Sequence, residues 1–519
     1  MMRLFKVFSF VTYILLLLPL FFLPIGFDYS IFYTGGKIIA NGGKLYIDFI
    51  DIKPPLVFYI FALMNIIFKN NFFFYQLINV LLVLITAFGI FESTFLAFKN
   101  KWVSFLSPVP FILFLFSFNY NYIFQLELAF VCLFTFASWI LFTRTSSTIS
   151  AFALGVLSGV AFSMKYPFGI IIFPILIFWY SNHFNSNRKK LLLVFFLGFS
   201  ITAILPFVIL FLQNKTYRHL KYIFDFILYY QSTTSLNLKS FKRITENLTL
   251  TFGVFYSLFF LIPSFYCIWK AILNEMVTKL DETYKYHRFF LISLLFIFLS
   301  IVVEHHFLNY HFIRLGSLLS IYTTLGIFQI FGEAKKLSRK YLYIIIPITF
   351  FIFIFFSPLP RYLRNLIPTY LYLTNKEKYI DYFENTATAN TLLRQHTTIA
   401  NFINKDLANR DTVVIVGGAA QIYTFLKACH YSAFPTSVFV LSKFNKPKEW
   451  EERFIKELNT ARYLVIQDFD HTHFFGDEVS SWEAFNKNET YKKILQSRYE
   501  LVLKTHSFYV FKSRGNNAF

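Results

Sequence analysis

The sequence predicts a polytopic α-helical membrane protein with a small α/β domain at its C-terminal end. Three observations predict it. Of 519 residues, 56% are hydrophobic and only 15% are charged, where a soluble chain carries roughly 25%. The apolar residues gather in runs such as "FSFVTYILLLLPLFFLPIGF" and "LLLVFFLGFSITAILPFVILFL", and about 18 or more nearly uncharged residues suffice for a helix to cross a bilayer. These runs stop near residue 357, and the remainder of the chain alternates short apolar strands with polar helical sequence.

The 74 Phe residues read as lipid-facing filler. Cys132, Cys267 and Cys429 form neither a disulfide framework nor a metal-binding pattern. The formal charge of +21 sits largely in short clusters between apolar runs, "KNK" at 99–101, "NRKK" at 187–190 and "KKLSRK" at 335–340. Such clusters mark cytoplasmic loops, so the charge implies no nucleic-acid partner.

Taken in order, the elements thread through the membrane between these clusters. Arg3 and Lys6 precede a first span, about 5–26, that is too long for a signal peptide and lacks a small-residue cleavage site. Its start is expected in the cytoplasm. Further spans are expected at about 73–97, 103–118, 122–142, 150–164, 167–181, 191–212, 248–270, 289–304, 310–330 and 341–357. That makes about eleven. "PPLVFYIFALMNIIF" must not cross, since "KNK" would then face outward. It reads as an interfacial helix.

Residues 1–360 therefore form the membrane domain, 361–384 an interfacial connector, and 385–519 an extracytoplasmic α/β domain. In that last region "TVVIVGG" reads as a buried strand with a glycine turn and "AAQIYTFLKAC" as the following helix. "ARYLVIQDF" is a second strand and "YELVLKTHSFYVFK" a hairpin. The Gly-Gly turn is no dinucleotide fingerprint.

On this threading the unusual polar residues fall on the outer face. The first loop, "FDYSIFYTGGKIIANGGKLYIDFIDIKPPL", holds Asp28, Asp48, Asp51 and Lys53. "QLELAF" supplies Glu127, "FSMKYPFG" supplies Lys165 and Tyr166, and "EHHFLNYHF" supplies Glu304, His305, His306, Tyr310 and His311. Charges inside apolar sequence cost about 2.5–3.5 kcal/mol on insertion scales and usually face protein or water. Snorkelling to the interface is the competing explanation for Glu127 and Lys165. Glu127, His305 and His306 could hold a divalent metal ion; alternatively the histidines bond loop backbone or a phosphate.

The first loop resembles that of the GT-C glycosyltransferases of the protein-mannosyltransferase and aminoarabinose-transferase type (glycosyltransferase family 39 type). The shared pattern is an Asp soon after the first span, then "G…Y-x-D…D-x-K-P-P" before an interfacial helix. The resemblance extends to "QLELAF", "GVAFSMKYPFGIIIFPIL" and "NYHFIRLGSLLSIY". It implies Asp28 as general base and Lys53 as the contact to the donor phosphate, with Lys165, Tyr166 and His311 also on the donor side. Asp48, Asp51 and Glu127 would serve the acceptor or support the site. Where many relatives have His between the Asp and the Lys, this chain has Ile52, and the family's proline in the "NYHF" segment is Gly316.

The implied reaction moves a sugar from a polyprenyl-phosphate donor to an extracytoplasmic lipid, protein or glycan acceptor, at the cell membrane, with no cofactor beyond a candidate divalent metal. A positioned cation stabilises the leaving phosphate and a carboxylate takes the acceptor's proton. Two other classes fit a many-span chain. A transporter would show paired repeats and midplane charges. A surface-polysaccharide ligase or polymerase would centre on a large late loop.

Overall fold

The computed structural model describes residues 2–514 apart from residues 70, 119–122, 144–146, 183–187, 215–217, 234–237, 278–282, 305–306, 335–342, 344–346, 349–350, 352–354, 356, 386–391, 428–429 and 471–478. Helices dominate up to residue 385. In chain order the main ones are α1 (Met2–Leu17), α2 (Phe27–Ala40), α3 (Pro55–Phe68), α4 (Phe72–Phe98), α5 (Lys101–Leu106), α6 (Pro108–Leu115), α7 (Leu126–Thr143) and α8 (Thr148–Met164). They continue as α9 (Ile172–Asn182), α10 (Arg188–Asn214), α11 (Arg218–Ser232), α12 (Leu238–Leu248), α13 (Leu258–Val277), α14 (Tyr284–Val303) and α15 (Ile313–Ala334).

Among the described residues, six helices are long and apolar enough to cross a membrane, or seven if the bent pair around residue 255 is one span. Five of the six lie on α1, α4, α7, α10 and α14, and the sixth is Asn309–Glu333. The expected spans at 103–118, 150–164 and 167–181 are shorter apolar helices, and the first of these is divided into α5 and α6 around Ser107. Most of 341–357 lies outside the described residues. Among the described residues, span length and composition thus support six or seven of the eleven expected crossings.

Burial separates inner from outer helices. The apolar stretches of α7 and of Asn309–Glu333 are each 67% buried, whereas that of α10 is 22% buried. Leu193, Leu197, Ile204, Phe211 and Leu212 of α10 stand exposed, an apolar face suited to lipid.

The segment that opens with Pro54-Pro55 behaves as the polar loop requires. A residue before proline is driven to extended backbone, which sets Lys53 ahead of the turn. Pro54 is itself extended, and Pro55 sits in the first turn of α3, where its missing N–H costs nothing. The 14 residues of α3 rise only about 21 Å, short of the roughly 30 Å hydrocarbon core. α3 packs closely on α2 because Gly36 has no side chain: a Cβ there would lie 2.5 Å from the Phe61 backbone.

Residues beyond 358 begin with three short helices, Leu359–Arg364, Leu366–Thr374 and Lys376–Asn385. A five-stranded sheet comes next: β1 (Thr412–Val416), β2 (His430–Tyr431), β3 (Tyr463–Gln467), β4 (Tyr499–Lys504) and β5 (Phe508–Ser513). The spatial order is β2-β1-β3-β5-β4. β2, β1 and β3 run parallel, while β5 pairs antiparallel with β3 and β4. The expected strands and hairpin are present, but the helix after the Gly-Gly turn is only Gln421–Phe425. Gly417 adopts φ +134°, open only to glycine, and its N–H is taken by Ser437 Oγ at 2.7 Å. Gly418 N–H donates to Gln467 Oε1 at 2.9 Å. With both amides occupied, this turn is no phosphate cradle.

The sheet unit docks directly on the first loop. Ile50 N–H donates to the Ala433 carbonyl at 2.8 Å, and Asp48 Oδ1 pairs with Arg453 Nη1 at 3.0 Å. The Phe27 ring packs against Gly418, so the N-terminal end of α2 meets the end of β1.

Candidate active site

A cavity of about 640 Å³ opens between the first loop and the sheet unit. Phe27, Asp28 and Ile31 of α2, then Asp51, Ile52 and Lys53, line one wall. Tyr230 of α11 and Leu308–Tyr310 continue that wall, and the residues after β1 and β3 close the other. Asp28 lies in the first turn of α2, where the helix N-terminus favours a negative charge. Tyr46 donates from its hydroxyl to the Lys53 carbonyl at 2.6 Å, and Lys53 N–H donates to Asp51 Oδ1 at 2.9 Å. These bonds fix the backbone that presents both side chains.

The electrostatics of the three groups are coupled. Burial pushes the Asp51 carboxyl up to about 6, against the opposing pull of Lys53. Burial alone would lower the Lys53 ammonium, but the carboxylates of Asp28 and Asp51 outweigh it and hold Lys53 well above the usual lysine range. Among the described residues no ion pair holds Lys53 Nζ within 4.0 Å. Its charge is secured and its hydrogen-bonding capacity remains available.

Beside this cavity lies a second, buried cluster. Arg314 of α15 is wholly buried and donates from Nη2 to Glu127 Oε1 at 2.9 Å, to Glu304 Oε1, and from Nη1 to Ser300 Oγ at 3.0 Å. Lys165 Nζ reaches Glu127 at 2.8 Å and Glu304 at 2.6 Å. The guanidinium also lies 4.7 Å over the Phe168 ring. Two carboxylates thus face two cations, the condition under which buried charge is tolerable. His311 Nε2 is 3.3 Å from Glu304 Oε2. The cluster ties α7, the end of α8, α14 and α15 together, and its residues Glu304 and Arg314 flank in sequence Asn309 and Tyr310, which line the cavity.

This arrangement revises several sequence expectations. Lys165 is engaged by the two glutamates and does not line the cavity. Tyr166 stacks on Phe224 with ring centroids 6.3 Å apart, also off the cavity. His311 faces Glu304, while its neighbour Tyr310 reaches the cavity. Asp48 is a tether to Arg453 rather than a cavity residue. Glu127 is the partner of Arg314 and Lys165.

For a metal, His305 and His306 lie outside the described residues. Ligand atoms of Glu127, Glu304 and His311 do gather within 4.8 Å of one another. Their carboxylates already serve two cations, however, so a divalent ion would add charge where charge is balanced. These residues do not fit a metal while Arg314 and Lys165 keep their places.

Arg314 escaped the sequence reading. A signal was present, since an arginine just inside an apolar helix after His311 is costly and marks a buried partner.

With the geometry described, the fold and site define a class: a multi-span membrane protein whose first loop faces a C-terminal α/β unit across a cavity lined by an aspartate and a lysine. Comparison makes that class specific. Residues 52–210 match the family model described as dolichyl-phosphate-mannose-protein mannosyltransferase. Among 14 matching solved chains is the crystal structure of ArnT from Cupriavidus metallidurans bound to undecaprenyl phosphate. That match has a TM-score of 0.55 at 12% identity and covers 98% of this chain and 97% of ArnT. No curated protein matches the sequence. The family model and the fold are both of the kind that the resemblance to the GT-C glycosyltransferases implies, and the family match begins at residue 52, so that Lys53 lies inside it and Asp28 outside.

Proposed function

We propose that this protein is a membrane glycosyltransferase that moves a sugar from a polyprenyl-phosphate carrier to an acceptor on the extracytoplasmic side. Asp28 is the general base and Lys53 the contact to the leaving phosphate. The N-terminus is cytoplasmic, and the C-terminal unit lies outside with the cavity. One observation carries the reading: Asp28 and the ammonium of Lys53, which no ion pair engages among the described residues, line a single cavity beside apolar helices. The undecaprenyl phosphate bound to ArnT supports the same class of donor.

In this reading the acceptor's hydroxyl or amine attacks the anomeric carbon as its proton passes to the Asp28 carboxylate. The bond from that carbon to the phosphate oxygen breaks, and the charge arriving on the phosphate is met by Lys53. The low-dielectric surroundings strengthen that contact. Glu127, Lys165, Glu304 and Arg314 hold the floor of the cavity in position and do not take part in the transfer.

The test is binding and transfer in nanodiscs. Lys53→Ala should weaken undecaprenyl-phosphate binding by roughly 10- to 100-fold, the worth of a charge-assisted contact. Transfer from a labelled undecaprenyl-phosphate sugar should fall with it. Unchanged affinity in Lys53→Ala would remove Lys53 from the site.

Asp51 gives the reading a pH signature. Its folded value of about 6 lies above the ordinary 3.8, so the fold favours the protonated form. The associated stability is complete below about pH 3.8 and is lost as pH rises through 6. Above pH 6 a second carboxylate beside Lys53 repels a phosphate. Asp51→Asn should therefore bind undecaprenyl phosphate more tightly than wild type at pH 8, and the gap should close below about pH 5. Comparing the two proteins cancels titration of the ligand itself. A gap that does not change with pH would refute the assignment.

A further inference from the structure

The sheet unit's side of the cavity is built as a ligand site in its own right. In a parallel sheet, ligands settle outside the carboxyl ends of the strands where the connections diverge. β1 has β2 on one side and β3 on the other, so that point lies between the ends of β1 and β3. Gly417–Ala419 and Gln467–Asp470 extend from those ends and line the cavity opposite Asp28.

Three buried polar residues of the cavity lining have side-chain atoms unpartnered among the described residues. His396 is 3% exposed and neither ring nitrogen has a partner. Gln421 Oε1 and Ser442 Oγ are likewise unpartnered on residues 7% exposed. An unsatisfied buried polar group costs about 1–3 kcal/mol, a cost that a hydroxylated ligand would offset. Burial pushes His396 down to about 3, so it is a neutral donor and acceptor.

Phe469 supplies an apolar surface. It has φ +59° and is 60% exposed, with its ring stacked 5.6 Å from that of His506. A bulky residue in the left-handed region is an outlier, and such strain gathers at ligand clamps. Here it holds a bare aromatic pair over the crevice. Finally, among the described residues four carboxyl groups, those of Asp28, Asp51, Asp468 and Asp470, line the cavity with one lysine. That lysine is assigned to the donor phosphate.

We propose that the crevice between the ends of β1 and β3 is the acceptor subsite and that its ligand is a neutral saccharide. Sugar hydroxyls engage His396, Gln421 and Ser442, while a C–H face of a ring packs on Phe469. The proposal rests on the glycosyltransferase reading and deepens it. A phosphorylated acceptor would meet these carboxylates while Lys53 is held by the donor phosphate.

The experiment uses the full chain in nanodiscs that hold saturating undecaprenyl phosphate, so that Lys53 is occupied, with saturation-transfer NMR. Maltotriose, mannotriose and chitotriose are the neutral probes, and glucose 1-phosphate is the anionic one. At least one trisaccharide should bind, and glucose 1-phosphate should bind more weakly than it. Phe469→Gly, which removes the ring while relieving the backbone, should weaken the trisaccharide by about tenfold or more, as should Gln421→Ala. Melting temperature reports that each variant is folded. The proposal is overturned if no trisaccharide binds, if both folded variants bind as wild type, or if glucose 1-phosphate binds more tightly. Undecaprenyl-phosphate binding is measured on the same samples; its absence in the wild type would remove the donor reading, while the trisaccharide signal would still support the crevice.

Discussion

Asp28→Asn is expected to reduce sugar transfer by about 10²- to 10⁴-fold, the usual worth of a general base. Asparagine preserves shape but cannot accept the acceptor's proton. Its effect must fall on the transfer step, because the substitution leaves Lys53 in place and removes a negative charge beside it. Undecaprenyl-phosphate affinity should therefore hold or rise while turnover collapses. That split, read in nanodiscs with labelled undecaprenyl-phosphate sugars and a separate binding titration, distinguishes a lost base from a disordered loop. Transfer at the wild-type rate would sink the assignment of Asp28.

The second large effect concerns stability. Arg314→Ala leaves Glu127 and Glu304 buried with Lys165 as their remaining cation. Breaking a buried pair from one side typically costs about 3–5 kcal/mol, and this guanidinium is wholly buried. A large fall in melting temperature is expected. Arg314→Lys keeps the charge but loses the fork that spans two carboxylates and Ser300, so it should fall between. The double change Arg314→Met with Glu127→Gln removes one charge of each sign and leaves Lys165 with Glu304. It should melt higher than Arg314→Ala alone. If the double variant melts no higher than Arg314→Met alone, which carries the same side chain at 314, uncompensated charge is not the cause.

Part of this site was legible from local sequence. Lys53 precedes Pro-Pro, and proline geometry acts on its immediate neighbours, so a break ahead of a short apolar helix could be read directly. Asp28 was singled out by the resemblance of its loop to that of the GT-C glycosyltransferases, and its place in the first turn of α2 came from the structure. Lys165, Tyr166 and His311 were recognised as unusual, but their partners were not. Lys165 pairs with a residue 38 positions away, and Arg314 with one 187 positions away. No spacing rule reaches across such separations. Asp48 looked like its loop neighbours, yet its partner is Arg453, 405 positions along the chain.

By itself, then, the sequence determined the membrane class, the short helix after Pro-Pro, the strands of the C-terminal unit and the candidate pair Asp28 and Lys53. The first three rest on hydropathy or backbone preference within a few residues, and the pair rests on the first loop's resemblance to the GT-C glycosyltransferases. The tertiary structure decided which charges neutralise one another and which remain available, and it put the ends of β1 and β3 opposite Asp28. Those outcomes depend on desolvation and on Coulomb interactions between groups that only folding brings within a few ångströms.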